Sequence, residues 1–408
     1  MPDTQKPHDA ISAAWVKLAR MTEHRVYLDH AATTPLDERV LEAMLPYLSG
    51  RRGNPSSLHA SGAAAREAVE GARETVAALV GAASGEIIFT GGGTEADNLA
   101  LLGTARASES ARKRHLVVSA VEHAAVRETA RYLESSGWEV THIGVEADGL
   151  VDPEELVAAL RPDTVIAAVM WANNEVGTVQ HVEELAKVCA ERGVLFHADA
   201  VQAAGRVTID AGCVPVSTLA LSGHKLYGPQ GVGAFYVRDG VAFESMVFGG
   251  GQERGIRSGT ENVAGIVGLG AAAHLAREEL DARVRHETRL RDRIIGGATA
   301  LPGVRLNGHP EERLSNSVHL TVEGVEAEGL VLFLDALGYE VGSGSACASG
   351  GHKASPVLLA MGQDEREAFS AIRITTGKDN AAEEIEDFLE AFSTAVTQLR
   401  ELSPLQIT

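Results

Sequence analysis

Lys225 in LALSGHKLYGPQG follows a β-rich run and stands among small and polar residues. Burial there would disfavour the ammonium and leave a neutral amine, the nucleophile that an aldehyde requires. A solvated surface lysine is the competing reading. Ser222 and His224 beside it are donors suited to a phosphate. In FTGGGTEADNLALLG a strand-like run meets three glycines, the last of them Gly93, and Thr94 stands before a helical pattern. Backbone N–H groups of such a turn and of a helix N-terminus form an anion cup. No Gly-Lys-Ser/Thr follows, and the spacing is not that of a dinucleotide fingerprint. Alone, the cluster reads as a tight turn capped by Thr94; paired with Lys225, it points to pyridoxal 5'-phosphate.

That cofactor needs a carboxylate at its ring nitrogen, because the protonated ring is its electron sink. Asp199 in VLFHADAVQAAG lies at the C-terminal end of a candidate strand, where open α/β sheets place ligands. Gln202 is spaced to reach the ring's phenolic oxygen; the alternative for Asp199 is a helix cap near Val201. His123 in VSAVEHAAV could lie over a flat ring and move protons near neutral pH, or be a structural histidine. Asn173 in WANNEVG could donate to the cofactor, with Glu175 close by. Arg373 in AIRITTG offers a fork for a carboxylate, against the alternative of a structural salt bridge. Cys347 sits in the Gly/Ser/Ala run GSGSACASGG, where a thiol would be exposed and reactive. Cys189, inside a helical pattern, reads as buried and inert, and Cys213 as structural. Scattered cysteines and the lack of a histidine pair at ligand spacing argue against a metal site.

The elements that must hold these groups alternate. Seven β-rich runs (86–90, 115–120, 138–145, 164–171, 194–200, 217–222 and 231–238) are interleaved with helical segments. That pattern predicts an α/β fold with a largely parallel sheet between helices, its last two strands forming an antiparallel edge. A long helical stretch over about 263–299 then leads to a smaller α+β domain closed by an amphipathic helix. The expected division is a tail over 1–25, a large domain over 26–263 and a linker helix with the small domain over 264–408. Residues of about 26–45 are expected to pack with the small domain. A net charge of −20 repels nucleic acid and anionic membranes, and no apolar run approaches the roughly 20 residues of a membrane span. Three cysteines are too few for a disulfide framework, which suggests a reducing, cytoplasmic setting.

YLDHAATTP, GNPSSLH, FTGGGTEADNLA, WANNEVG, HADAVQ, SGHKLYGPQGVG, GGGQERGIRSGTEN, NSV, GSGSAC and IRITTG follow one another from Val26 to Leu405. In order and spacing they resemble the cysteine desulfurases of the NifS/IscS type, within the class V aminotransferases. The resemblance implies a fold-type-I homodimer with a seven-stranded sheet, in which Lys225 joins the cofactor's aldehyde. Thr94, Ser222 and His224 would hold the phosphate, helped by Thr260, which the family supplies from the partner subunit. Asp199 would hold the ring nitrogen, Gln202 the phenolic oxygen, and His123 the ring face. Asn173 and Arg373 would bind the carboxylate of L-cysteine, and Cys347 would take its sulfur as a persulfide. An iron–sulfur scaffold or a tRNA-thiolation protein would receive that sulfur. The segment GGHKASPVLL departs from the SLEPSHVL-like pattern of that subgroup and leaves the acceptor open. A selenocysteine lyase or another class V enzyme is the alternative on the same scaffold, and a non-catalytic scaffold protein is the reading from another class.

Overall fold

The chain enters as a short strand, β1 (Val26–Tyr27), followed by helices α1 (Glu38–Ser49) and α2 (Ala60–Leu79). Runs such as VIAA, LFHA and TLAL are apolar on both sides of the pleat, as strands covered on both faces must be. In the computed structural model, which describes residues 25–108, 113–344 and 354–402, they build a seven-stranded sheet. Its strands are β2 (Ile87–Thr90), β3 (His115–Ser119), β4 (Glu139–Ile143), β5 (Thr164–Ala168), β6 (Leu195–Asp199), β7 (Thr218–Ser222) and β8 (Gly233–Val237). Helices α3 (Gly93–Ser108), α4 (Ala124–Ser135), α5 (Pro153–Ala159) and α6 (Val182–Glu191) lie between them in sequence.

The strand order is β2-β8-β7-β6-β5-β3-β4, and only β8 runs antiparallel to its neighbours. The edge expected at β8 is therefore corrected: β2 pairs outside it and covers its free backbone groups. In register, Val118 faces Ala168, Ala168 faces His197, and Asp199 faces Ala220. The C-terminal ends of β3, β5, β6 and β7 thus share one edge, and the segments leaving them open side by side.

Helix α7 (Val263–Glu278) does not act as a linker. Its Ile266 and Leu269 join the core of the large sheet with Val69 and Val76 of α2. Small residues permit this packing, since a Cβ on Gly270 would come within 2.7 Å of the Ala72 Cβ. A second core begins with α8 (Leu280–Thr299). Here Ile294, Leu320, Ile372, Phe388 and Phe392 meet around an antiparallel sheet ordered β12-β13-β10-β9. Its strands are β9 (Val304–Leu306), β10 (Ser317–Val322), β12 (Gly342–Ser343) and β13 (Ala371–Thr375), with β11 (Tyr339–Glu340) pairing with β1 instead. Helices α9 (Ala327–Ala336), α10 (Pro356–Ala360), α11 (Glu365–Phe369) and α12 (Ala382–Leu402) complete this part. The entering chain meets the small domain through β1, Leu28 in its core, the Asp29–Thr375 bridge and the bonds of His30 and Ala31 to Thr375, while Val40 and Met44 of α1 pack into the large core. Among the described residues no helix is long and apolar enough to cross a membrane.

One buried ion pair stitches the segment after β8 to the sheet. Glu253 takes two N–H bonds from Arg73, each 2.7 Å, and a third from the Phe89 backbone at 2.7 Å. It does so with φ at +46°, next to Arg254 at +59°, a left-handed backbone that tertiary contacts must hold. Glu253→Ala would strand the Arg73 charge and the Phe89 N–H. The expected loss is about 3–5 kcal/mol in chemical denaturation; a loss under about 1 kcal/mol would show that water or Glu70 replaces the pair.

Candidate active site

The candidate groups converge where the strand ends meet. Lys225 ends the single turn Gly223–Lys225 that follows β7, and its Nζ donates to the carbonyls of Ala31 (2.5 Å) and Ala32 (2.7 Å). Gln202 Nε2 donates to the same Ala31 oxygen at 3.0 Å. The segment between β1 and α1 therefore crosses the site as a backbone wall. Lys225 borders a cavity of about 360 Å³ that opens beside a wider basin of about 760 Å³.

Thr94, Ser222 and His224 line both spaces, at the first turn of α3. Gly93 is required there, because a Cβ would come within 2.6 Å of Val201 Cγ2. Burial and then the Lys225 charge push His224 down to about 4, so its ring is neutral and free to share a proton with an anion; its Nδ1 lies 3.1 Å from Thr33 Oγ1.

Asp199 is buried at the end of β6, and its Oδ1 accepts the Val201 N–H at 2.9 Å. It caps the following turn and also lines the cavity. Burial raises its carboxyl, while His123, the Val201 N–H and Lys225 pull it back toward the anion. His123 caps α4 by accepting the Ala125 N–H at 3.2 Å and lines the same cavity. Arg373, at the centre of the small sheet and 2% exposed, gives Nη1 to the Asn174 carbonyl (2.9 Å) and Nη2 to Asp29 (2.8 Å). Its buried Nε has no partner among the described residues. The arginine thus makes a structural salt bridge while lining the cavity. Gly342 permits the approach, since a Cβ there would meet Asp29 Oδ1 at 2.8 Å.

Two expected residues stand elsewhere. Asn173 spends its amide on the chain itself, donating to the Val121 carbonyl and accepting the Glu175 and Val176 N–H groups. Its neighbour Asn174 lines the cavity instead. The correction has a turn-chemistry cause: the first asparagine of the pair closes the turn, which aims the second outward. Thr260 is exposed and does not border this cavity. Cys347 and residues 1–24 of the expected tail lie outside the described residues. Cys189 is buried, its thiol pushed up to about 12 by burial, and exposed Cys213 is raised by the Asp210 carboxylate.

Residues that motif reading passed over also face the site. Asp97, one helical turn beyond Gly93, lines the cavity, and Met170 closes it after β5. The four-residue step from Gly93 was the available signal. Glu122, adjacent to His123, is buried and accepts the Ser119 hydroxyl (2.6 Å) and the Met170 N–H (2.7 Å). Burial pushes its carboxyl up to about 8 from an ordinary 4.5. A raised acid stabilises the fold below its unfolded pKa, and the contribution is lost as pH rises through the folded value. Glu122→Gln should remove that loss. Between about pH 5 and pH 8 it should gain on the parent by about 1.4 kcal/mol per pH unit in urea midpoints; parallel profiles would contradict it.

The cavity fits pyridoxal phosphate: a glycine turn at the start of a 16-residue helix, where a Cβ on Gly93 would collide with Val201, a buried carboxylate, and an amine. Fold and site define a pyridoxal-phosphate-dependent enzyme of the α/β type. The aminotransferase class-V family model matches residues 26–388, and the chain belongs to that family. It is 44% identical to the cysteine desulfurase IscS of Methanosarcina thermophila, over 94% of this chain and 95% of that protein. A NifS-like protein of solved structure superposes with a TM-score of 0.87 at 38% identity, covering 92% of this chain and all of that one. SspA, solved in complex with cysteine, does so at 0.77 and 34% identity, covering 88% and 100%.

Proposed function

We propose that the chain is a cysteine desulfurase that takes sulfur from L-cysteine, releases L-alanine and carries the sulfur on Cys347. The observation that carries this reading is the convergence of Lys225, Asp199 and Arg373 on one cavity at the start of α3. The N–H groups of that turn, with Thr94, Ser222 and neutral His224, would hold the cofactor's phosphate. Asp199 would face its ring nitrogen, Gln202 its phenolic oxygen and His123 its ring. Pyridoxal phosphate, when bound, supplies an aldehyde for the substrate's amino group and a sink for the electrons of its Cα–H bond.

The chain's own residues do the rest. Arg373, with Asn174 rather than Asn173 beside it, orients the substrate carboxylate. The Lys225 amine, drawn between the Ala31 and Ala32 carbonyls in the resting chain, moves the proton at Cα. The Cys347 thiolate attacks the substrate sulfur, and the C–S bond breaks with its electron pair passing to the carbon side. Cys347–SH and cysteine become Cys347–S–SH and alanine, with atoms and electrons balanced. The persulfide then passes to an acceptor protein, an iron–sulfur scaffold or tRNA-thiolation protein, in the cytoplasm.

A homodimer completes the site in this reading. Leu41, Leu45 and Leu48 of α1 form an exposed apolar stripe, and Thr260 stands exposed, away from its own cavity. Both features support the supply of Thr260 to the partner's phosphate cradle. The test is incubation of the purified chain with pyridoxal phosphate and L-cysteine. Alanine and protein-bound sulfur should appear in equal amounts in a first turnover; neither product would defeat the proposal.

A further inference from the structure

Beside the cavity lies a second buried carboxylate to which the proposed reaction gives no task. Asp97 is 1% exposed on α3. Its Oδ1 lies 3.1 Å from His197 Nε2, and the other ring nitrogen of His197 lies 2.9 Å from Thr218 Oγ1. Its Oδ2 is buried without a partner among the described residues. Asp97, Asp199 and His123 each place a polar atom within 4.8 Å of the others. Two carboxylates so close, away from water, do not both ionise.

We propose that Asp97 is a neutral acid carrying its proton on Oδ2, a positioning residue that leaves Asp199 as the single negative charge facing the cofactor's ring nitrogen. The surroundings decide which carboxylate keeps the proton. Asp199 accepts the Val201 N–H and feels the positive influence of Lys225 and His123. Among the described residues Asp97 has only His197, which burial pushes down to about 3 and so keeps neutral, and it is repelled by Asp199 of β6. Burial, and then the Asp199 charge, raise Asp97 well above the carboxylate range. The cofactor thus meets one charge at a fixed place, not a diffuse pair.

This inference rests on the proposed cofactor site, and its test separates the two. Infrared difference spectra of the chain without cofactor at neutral pH, parent minus Asp97→Asn, should show the loss of one protonated-carboxyl C=O band. Glu122→Gln, measured in parallel, identifies any band of that neighbour. In pyridoxal phosphate titrations Asp97→Asn, isosteric with the neutral acid, should keep the parent affinity within about threefold. Asp97→Ala, which leaves His197 unpaired, should lose about tenfold or more. No lost band, or an Asp97→Asn affinity as poor as that of Asp97→Ala, would overturn the assignment. A chain that binds no pyridoxal phosphate at all would defeat the site reading, while the infrared band would still decide the proton.

Discussion

Lys225→Ala should bring alanine formation from L-cysteine to background, a fall on the order of 10²–10⁴-fold from lost proton transfer alone. The fold should survive, because the side chain makes its hydrogen bonds to two carbonyls that water can reach through the cavity it vacates. Noncovalent cofactor binding should persist as well, since the phosphate cradle and Asp199 are untouched. Lys225→Arg is the sharper version. It keeps a positive charge between the Ala31 and Ala32 carbonyls but offers no neutral amine, because a guanidinium does not deprotonate in proteins. If the lysine served only as a charge beside a phosphate, Lys225→Arg would keep most of the activity. If it serves as an amine, both variants fail alike. Steady-state alanine release decides between these outcomes.

The second large effect is expected at Cys347. Cys347→Ala should bind pyridoxal phosphate as tightly as the parent, yet form no protein-bound sulfur and lose alanine production on the order of 10³-fold or more. The loss follows from the route: without a thiolate to receive the sulfur, the C–S bond has no partner for its sulfur atom. Cys189 and Cys213 cannot stand in. Burial keeps the first protonated, and the Asp210 carboxylate disfavours the thiolate of the second. Cys213→Ser should therefore be kinetically silent. Sulfur found on position 213 in the Cys347→Ala protein, with alanine still released, would remove Cys347 from the route.

The strands were legible because their apolar runs are bounded by turn residues. Their order was not: nothing local to β2 or β8 says that β2 pairs outside β8. The helical run over 263–299 hid a break at Glu279, whose carboxylate binds Arg39 and Arg283 across space. At the site, Lys225, Asp199 and Arg373 stood out only in combination, because each alone has an ordinary use as a solvated lysine, a helix cap or a salt bridge. Asn173 misled because an asparagine pair looks alike in sequence, and only the turn geometry tells the capping residue from the facing one. Asp97 escaped notice because a single acid on a helix is ordinarily solvent-facing. Its burial arises only when α3 packs over β6 and His197.

The account depends most on the amine at position 225. Borohydride reduction of the chain with pyridoxal phosphate, followed by peptide mapping by mass spectrometry, reads it directly. The predicted result is one reduced pyridoxyl group per chain, on the peptide that contains Lys225. A label on any other lysine, or no label under conditions where the cofactor is bound, would contradict it.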